Sequence, residues 1–436
     1  MDFIIKLVIA LLVFGVIVIV HELGHFLLAK KNGVGVNEFA IGMGPKLFGI
    51  KKGETEYTIR ALPLGGACMM VGEDETSNAD NAFNKKSVWA RISIIAAGPI
   101  FNFILAFLLA LVFVGYTGWD HADIEVMDNM PAAEAGLKDG DVLTKINGHG
   151  VTCDREISYA LFFNPIDSDK PVKVEYKRDG KKYKKTITPK FVKEYSITGI
   201  ELNEDAKKPV ISKIDKKSPF DEAKMKKGDI IVAVNGEKFK NVEAFIKYLN
   251  NTDLKRNIEV TYKRDGKEKT VDVKLAKDSL SERYLLGFTY NNGSEKTNVL
   301  ETIKYSFVEI RVQINNALSS LKYLISGKAK ADDLSGPVGI VNFIGDGYEA
   351  VKHEGIIITI MQMISFVILL SSNIGVMNLL PIPALDGGRL VFMFIEVIRR
   401  KPVKPEVEGM IHAIGLILLL ILMAFVTFND IKNIFH

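Results

Sequence analysis

Apolar residues are concentrated in the first 120 and last 80 residues of this 436-residue chain, whereas Lys, Asp and Glu dominate the middle. Four apolar runs are long enough to cross a bilayer, since a ~30 Å hydrocarbon core takes ~20 helical residues. They cover residues 3–29, 92–116, 356–380 and 410–428. Unlike a signal peptide, the first run lacks a small-residue cleavage site and carries charged residues at its far end. The pattern predicts four membrane-spanning helices, the first of them uncleaved.

Lys and Arg cluster at one end of three of these spans. Cytoplasmic loops carry an excess of Lys and Arg, so the clustered ends are predicted to face the cytoplasm. The clusters are Lys30, Lys31, Lys46, Lys51, Lys52 and Arg60 after span one, Lys85, Lys86 and Arg91 before span two, and Arg389, Arg399, Arg400, Lys401 and Lys404 after span three. The N-terminus, the C-terminal tail and the 118–300 region are then predicted to lie outside.

The 118–300 region contains an internal repeat. Each copy has a Gly-Asp turn, a β-branched strand, an Asn-Gly turn and a Lys-Arg-Asp-Gly hairpin, at 131–148 with 176–180 and again at 218–236 with 262–266. Such turns bound short strands, and the repeat resembles a tandem pair of PDZ domains. The second copy has Lys224 where the first has Gly136, and neither has an obvious Gly-Leu-Gly-Phe-type carboxylate loop. Peptide binding and a purely structural spacer role are therefore both open.

Residues 302–325 predict an amphipathic helix, because their apolar side chains recur at helical spacing. These side chains are Ile303, Phe307, Ile310, Ile314, Leu318, Leu321, Leu324 and Ile325. The helix is expected to lie on the outer membrane surface and to link the repeats to span three.

Composition excludes two classes of function. The net charge of +4 is small and dispersed, and no basic helix interleaved with aromatic residues is present, which argues against a nucleic-acid partner. Cys68 and Cys153 are the only cysteines, and the predicted topology places them on opposite sides of the membrane. Neither disulfides nor thiol chemistry is therefore expected to organise this protein.

The candidate chemistry begins with His21-Glu22-Leu23-Gly24-His25 at the end of span one. Residues four apart lie on one face of a helix, so the two imidazoles can bind one zinc ion. Glu22 is placed to act on a metal-bound water. Three ionisable groups inside an apolar span are costly, and such residues usually mark a functional site.

Asp386 is the predicted third ligand. His21 lies 18 residues beyond Phe3, or ~27 Å along a helix at ~1.5 Å per residue, which is near the cytoplasmic face. Asp386 follows span three at the same depth, after Pro381 and Pro383 have broken the helix. His412, near the cytoplasmic start of span four, and Glu396 are the alternative third ligands.

The pairing of this motif with Asn-x-x-Pro-x-Pro-x-Leu-Asp-Gly at 378–387 resembles the site-2 protease family of intramembrane zinc metalloproteases. The position of the PDZ-like domains, between spans two and three, resembles the domain order of the bacterial branch of this family, which regulates sigma factors. Further matching motifs, in the same order along the chain, are Gly42-Met-Gly-Pro-Lys-Leu-Phe48, Leu62-Pro-Leu-Gly-Gly66, Gly72-Glu-Asp74, Ala97-Gly-Pro99 with Asn102, and Ser335-Gly-Pro-Val-Gly-Ile340.

The resemblance implies that His21, His25 and Asp386 bind one Zn²⁺ and that Glu22 is the catalytic acid/base. It also implies a re-entrant β-hairpin at 54–71 that offers a strand edge to the substrate. The expected substrate-binding residues are Asn378, Pro381, Pro383, Gly65, Gly66, Ala67, Cys68 and Met69. Expected partners are the lipid bilayer and single-span membrane proteins, of the anti-sigma factor type or remnant signal peptides. The expected location is a bacterial cytoplasmic membrane.

Together these elements predict a polytopic α-helical membrane protein with four transmembrane helices, a membrane-associated β-hairpin and two inserted α+β PDZ-like domains. The predicted order is membrane core 1–118, PDZ-like domains 119–195 and 196–292, linker 293–355, and membrane core 356–436. Two other readings compete with an intramembrane protease. One is a metallopeptidase that trims soluble or lipid-modified proteins with Glu396 as third ligand. The other is a non-catalytic membrane scaffold whose metal is structural.

Overall fold

The chain forms two compact units. Residues 1–120 and 293–436 form unit 1, and residues 121–292 form unit 2. Cys68 and Cys153, both among the described residues, are buried and are not joined by a disulfide. The computed structural model describes residues 2–73, 77–195, 200–202, 208–215, 218–242, 244–245, 248, 257–274, 280–290, 293–329 and 334–435. Asp74 of the Gly-Glu-Asp motif lies outside the described residues.

Unit 1 begins with two long apolar helices that flank a β-hairpin. Ser87 caps the second helix, since its side chain accepts a hydrogen bond from the Ala90 N–H. Both hairpin strands fold back on themselves: the end of β2 runs antiparallel to residues 38–41 of β1, and its beginning runs antiparallel to residues 48–52 of β1. The beginning of β2 also lies beside residues 38–41, in parallel register. The elements are α1 (Asp2–Lys31), β1 (Val36–Lys52), β2 (Thr55–Met70), a short 3-10 helix (Phe83–Lys85), α2 (Val88–Thr117) and β3 (Trp119–Asp120).

Unit 2 contains the two repeats. The elements of the first are β4 (Asp123–Val126), α3 (Pro131–Glu134), β5 (Asp141–Ile146), β6 (His149–Gly150), α4 (Asp154–Phe163), β7 (Val172–Arg178) and β8 (Lys181–Ile187). They are followed by β9 (Lys190–Tyr195), β10 (Ile200–Leu202), β11 (Ile211–Ile214), α5 (Pro219–Glu222), β12 (Ile230–Val234), β13 (Glu237–Lys238), β14 (Asn257–Arg264), β15 (Lys267–Lys274), β16 (Leu280–Leu285) and β17 (Phe288–Thr289).

The two repeats share one ion pair in equivalent places. In the first, Arg178 of the hairpin binds the buried Asp141 of the Gly-Asp turn, and its Nη2 also donates to the Gly136 carbonyl oxygen. In the second, Arg264 does the same with Asp229 and the Lys224 carbonyl oxygen. Lys224 keeps a left-handed φ of 59°, where the first repeat has Gly136 at 85°. The substitution noted in the sequence therefore leaves the turn intact.

The second repeat is inserted within the first. Strand β17 follows the second repeat in sequence but pairs with β4 of the first, in the sheet order β17-β4-β5-β7-β8. Leu286 is buried in the core of the first repeat, and Phe288 packs against it. Residues 286–290, which the predicted order assigns to the second domain, thus complete the first.

The rest of unit 1 is helical and starts with β18 (Ser294–Glu295), which pairs with β3. The helices are α6 (Val299–Ile325), α7 (Pro337–Val351), α8 (Ile356–Leu379), α9 (Asp386–Arg399) and α10 (Pro405–Phe435). The four predicted spans are confirmed as helices long and apolar enough to cross a membrane, at 4–31, 88–117, 356–379 and 405–432. Helices α7 and α9 were not predicted.

Helix α6 is amphipathic as predicted, but the prediction that it lies on the outer surface needs correction. Ile310 is buried with Ala106 and Ala110 of α2 and Ile368 of α8. The ring of Phe307 also lies 4.3 Å from that of Phe107 on α2. The apolar face of α6 therefore packs against the membrane helices, where the small alanine side chains of α2 let it approach.

The Ser-Gly-Pro-Val-Gly-Ile motif forms the start of α7. Gly336 and Gly339 donate backbone hydrogen bonds of 3.1 and 2.8 Å to the carboxylate of Asp430 near the end of α10. A carboxylate at a helix N-terminus satisfies N–H groups that lack a partner within the helix. The two glycines leave room for it, because a Cβ on Gly336 would lie 2.8 Å from Asp430 Oδ2.

Candidate metal centre

Two imidazoles face each other on α1. His21 and His25 are four residues apart, so their side chains leave the same face of the helix. Their ring centroids lie 4.9 Å apart at an interplanar angle of 79°. The two Nε2 atoms are 3.2 Å apart. The rings therefore converge on one point.

Asp386, the first residue of α9, approaches the same point. Its Oδ2 lies 3.1 Å from Nε2 of His21 and 3.5 Å from Nε2 of His25. The three potential ligand atoms all lie within 4.8 Å of one another. In the described part of the chain, no other group of three His, Cys, Asp or Glu side chains is arranged in this way.

The hydrogen-bond pattern around these atoms fits a cation at their centre. His25 Nδ1 lies 2.9 Å from the Ile94 carbonyl oxygen, which can only accept, so Nδ1 carries the hydrogen and Nε2 of the neutral ring has a lone pair. Asp386 Oδ2 is buried and has no hydrogen-bond partner among the described residues. Two histidine nitrogens and one carboxylate oxygen are a ligand set of catalytic zinc, which keeps a further position open.

Asn102 of α2 contacts His21 from the side opposite the metal centre. Its side chain is buried, with Nδ2 3.2 Å from His21 Nδ1, and its backbone oxygen accepts a 2.8 Å hydrogen bond from Ser371. Its Oδ1 has no hydrogen-bond partner within the described residues. The two ends of an amide are assigned from the hydrogen-bond network. When His21 binds a metal through Nε2, its hydrogen is on Nδ1. Turning the Asn102 amide over places Oδ1 beside this Nδ1, where it accepts the hydrogen bond.

Two glycines let α1 and α2 approach closely enough to build this site. A Cβ on Gly98 would lie 2.3 Å from Nε2 of His25 and 2.8 Å from Cε1 of His21. A Cβ on Gly24 would lie 2.5 Å from the Ala97 carbonyl oxygen. Real side chains do not tolerate such distances, so glycine is required at both positions.

Glu22 faces the hairpin. Its carboxylate accepts a hydrogen bond from the Cys68 backbone, and a Cβ on Gly66 would lie 2.8 Å from its Cγ. Both of these residues belong to the end of β2, which pairs with β1 through Gly66↔Ile41 and Cys68↔Phe39. In the described part of the chain, no further strand pairs with β2 at residues 66–70. Two carboxylates use backbone N–H groups of this segment, Glu22 that of Cys68 and Glu73 that of Met70 at 3.4 Å.

Comparison with known proteins places the chain in a family. The sequence profile of Peptidase family M50 matches residues 9–422. The chain belongs to this family, the site-2 proteases. Regulator of sigma-W protease RasP from Bacillus subtilis is 31% identical over 510 residues, covering 98% of each chain. Zinc metalloprotease RasP from Geobacillus kaustophilus is 33% identical over 440 residues, covering 98% of this chain and 97% of the relative.

Family membership establishes three of the predictions. The chain is a metalloprotease of the site-2 type, and zinc is its cofactor. With four helices able to cross a membrane, it is a multi-pass bacterial membrane protein.

In this M50 peptidase the two alternative third ligands lie away from the metal centre. Glu396 forms an ion pair with Arg91 of α2. His412 Nδ1 accepts a 2.8 Å hydrogen bond from the Ala384 N–H. Both residues line a cavity of about 390 Å³ whose lining does not include His21, His25 or Asp386.

The expected substrate-binding residues fall into two segments of the M50 peptidase. Gly65, Gly66, Ala67, Cys68 and Met69 form the end of β2, where Cys68 is buried and Met69 is exposed. Asn378 is half-buried near the end of α8, and Pro381 and Pro383 lie in the turn between α8 and Asp386. Glu22 contacts the β2 segment at Gly66 and Cys68.

Sequence reasoning did not assign roles to Gly98 and Asn102. Both stand in the motif Ala97-Gly-Pro99 with Asn102, which was recognised only as part of a family pattern. The signal available in the sequence was an Asn inside an apolar span, because a polar side chain in a membrane helix usually has a partner.

Proposed function

We propose that this M50 peptidase is an intramembrane endopeptidase that hydrolyses peptide bonds in or beside the membrane spans of single-span proteins. The observation that carries the proposal is the convergence of His21, His25 and Asp386 inside a bundle of membrane helices. A metal centre on a spanning helix gives access to peptide bonds within the bilayer. A soluble protease would have to extract them first.

In this proposal His21, His25 and Asp386 hold the zinc ion, and Glu22 is the catalytic acid/base. Zinc supplies a Lewis acid that polarises a carbonyl group and lowers the pKa of water to near 7. The Glu22 carboxylate takes the proton of the attacking water and passes it to the amine of the leaving peptide. The Cys68 backbone N–H holds that carboxylate beside the end of β2.

The substrate is proposed to bind as an added strand on β2. A spanning helix hides its own peptide bonds, and unwinding it in lipid leaves backbone groups unpaired at a cost of several kcal/mol each. Residues 66–70 have no second partner strand among the described residues, and strand addition there would offer replacement hydrogen bonds once the substrate displaces the Glu22 and Glu73 carboxylates from the Cys68 and Met70 N–H groups. Asn378, Pro381 and Pro383 are proposed to line the other side of the unwound segment.

The metal centre is proposed to face the cytoplasm, and unit 2 to lie outside. The argument is the excess of Lys and Arg after span one, before span two and after span three. Reagents that label cysteine from one side test it, since both native cysteines are buried. The Gly148→Cys variant is expected to react from outside, and Lys401→Cys only after the membrane is opened. The reverse pattern would refute this orientation.

An anti-sigma factor that has already lost its outer domain is the proposed substrate class. One relative is named a regulator of sigma-W protease, which supports this class. We propose that the repeats of unit 2 are PDZ-like domains that exclude substrates with large outer domains. Remnant signal peptides, which are short on the outer side, meet the same size limit and serve as the second candidate.

Excision of unit 2 tests this size limit. The residues flanking it are already paired, Asp120 with Ser294 and Trp119 with Glu295, so a short linker can replace 121–292. The excised protein is expected to cut a single-span substrate with an intact outer domain. An unchanged requirement for prior trimming would refute gating by these repeats.

The chemistry is tested by cleavage of a single-span substrate with purified wild type, Glu22→Gln and Asp386→Asn proteins. Mass spectrometry of the products is expected to place the cut within or beside the span. Glu22→Gln is expected to keep zinc and lose cleavage, and a chelator is expected to stop the wild type. Full activity of Glu22→Gln would disprove the assignment. Bound zinc with no cleavage by any of the three proteins would favour a non-catalytic scaffold.

A further inference from the structure

The turn that presents Asp386 has an unusual backbone conformation. Ala384 has a φ of 73°, in the left-handed region that residues with a Cβ rarely adopt. Such conformations persist when the surroundings hold them, and they cluster at functional sites. The residue lies two positions before Asp386, so its conformation sets the direction in which α9 begins.

The glycines that follow Asp386 make this turn compact. A Cβ on Gly387 would lie 2.0 Å from the Leu380 carbonyl oxygen, and one on Gly388 would lie 2.5 Å from that of Ile382. The backbone of α9 therefore folds directly against the end of α8. Because this packing is so close, a change in the backbone of the turn is passed on to Asp386.

Helix α10 packs against the turn between α8 and α9. His412 Nδ1 accepts the 2.8 Å hydrogen bond from the Ala384 N–H. One turn further on, a Cβ on Gly415 would lie 2.4 Å from Cβ of Pro383, so the helix backbone is in close contact with the turn. The His412 ring also lies 5.6 Å from the ring of Phe392 on α9. Span four thus contacts both the turn and the helix that carries Asp386.

The hydrogen bond defines the form of the imidazole. A backbone N–H can only donate, so Nδ1 of His412 has the lone pair and Nε2 carries the hydrogen of the neutral ring. Nε2 lies on the side of Glu408, 3.9 Å from its Oε1. A histidine whose Nδ1 is used in this way serves the backbone and is not a metal ligand through that atom.

We propose that His412 is a positioning residue for the metal centre. It holds Ala384 in the left-handed conformation and thereby sets where the Asp386 carboxylate enters the site. The inference rests on the proposed role of Asp386 as a zinc ligand. It makes span four, which contributes no ligand, a determinant of zinc affinity.

A double-variant cycle at His412 and Ala384 tests the proposal. Zinc affinity of the full chain in detergent is measured by competition with a chelating indicator, alongside cleavage. His412→Leu is expected to weaken zinc binding about 10-fold or more, as loss of a supporting contact does in other metal sites. Ala384→Gly alone is expected to bind zinc nearly as wild type. In the Ala384→Gly background, His412→Leu is expected to have a much smaller effect, because glycine adopts the left-handed region freely.

The matched controls separate this role from general damage to span four. Gly409→Ala lies on the same helix, and no atom of the described residues lies within 4 Å of its added Cβ, so it is expected to leave zinc affinity unchanged. His412→Gln keeps an acceptor oxygen and is expected to retain most of the zinc affinity. It tests the same hydrogen bond if His412→Leu fails to fold. Equal losses for His412→Leu in the wild-type and Ala384→Gly backgrounds would overturn the proposal, as would wild-type affinity in His412→Leu.

Asp386→Ala, measured in parallel, tests the role of Asp386 as a zinc ligand separately from the role of His412. If it leaves zinc affinity unchanged, the ligand assignment is wrong and this inference falls with it. If it lowers zinc affinity while His412→Leu does not, the ligand assignment stands and only the role of His412 is refuted.

Discussion

Asn102 Nδ2 and His21 Nδ1 lie 3.2 Å apart, on the side of the imidazole that faces away from the metal centre. His25 has its corresponding contact with a backbone oxygen, that of Ile94, which no substitution can remove. Asn102 is therefore the side chain through which the orientation of a ligand histidine can be changed without touching the ligand itself.

Replacing Asn102 by Leu is expected to weaken zinc binding about 10- to 100-fold, because the Nδ1 hydrogen of His21 loses its acceptor. Asn102→Asp keeps an acceptor and is expected to retain zinc. Ser372→Ala, which alters another fully buried polar side chain of unit 1, is the control and is expected to have no effect on zinc. Equal zinc affinity in Asn102→Leu and wild type would contradict this role.

Gly98→Ala is expected to remove most of the bound zinc and the activity, because the added Cβ meets Nε2 of His25 at 2.3 Å. Gly115→Ala lies on the same helix, and among the described residues its Cβ meets only Thr302 Cγ2, at an ordinary contact distance of 3.5 Å. That variant is expected to bind zinc normally. Metal analysis of the two purified proteins makes the comparison, and normal zinc content in Gly98→Ala would refute the steric argument.

Gly66→Ala is expected to lower kcat about 100-fold with zinc still bound, because displacing a catalytic group by ~1 Å has an effect of this size. The added Cβ meets Cγ of Glu22 at 2.8 Å and does not meet a proposed ligand. Gly49→Ala in the same hairpin meets the flexible end of Lys46 and is expected to remain active. Loss of zinc in Gly66→Ala would show instead that the hairpin supports the metal centre.

The stability of the hairpin is expected to depend on pH through Glu38. Burial opposes the ionised carboxylate, but hydrogen bonds from Thr58 and Arg60 outweigh it and hold the Glu38 pKa below its ordinary value of 4.5. The stabilisation is therefore complete above pH 4.5 and is lost as the pH falls through the lower pKa of the folded protein. Glu38→Gln is expected to have a lower melting temperature than wild type at pH 6, and the difference between the two melting temperatures is expected to narrow towards pH 3. A constant difference in melting temperature would contradict this assignment.

The sequence was sufficient to predict the four spans, because length and apolarity alone define a membrane helix. It was also sufficient to predict the histidine pair, because residues four apart lie on one face of a helix. The proximity of Asp386 also followed from depth, since His21 and the end of span three were expected at the same membrane face. Helix α9 was not predicted, because its start coincides with two prolines and two glycines that are typical of a loop. Its helical conformation depends on contacts with α2 and the hairpin, as in the cluster of Leu390 and Met393 with Ile94.

Other features left no local signal in the sequence. The pairing of β17 with β4 joins segments more than 150 residues apart, and neither strand has a pattern that names its partner. The packing of α6 against α2 depends on Ala106 and Ala110, which read as ordinary members of an apolar run. The left-handed backbone conformation of Ala384 could not be predicted either, since alanine rarely adopts it.

The nested order of the repeats determines how unit 2 responds to mechanical tension. Its chain enters through β4 and leaves through β17, and these two strands are antiparallel neighbours. A pull on both connections therefore loads the β4–β17 pair and opens its hydrogen bonds one after another, while the second repeat lies outside the line of force. Tension from a membrane helix would reach the β4–β17 pair only after the β3–β18 pair has opened, and it would separate β17 from β4 before it reaches the second repeat.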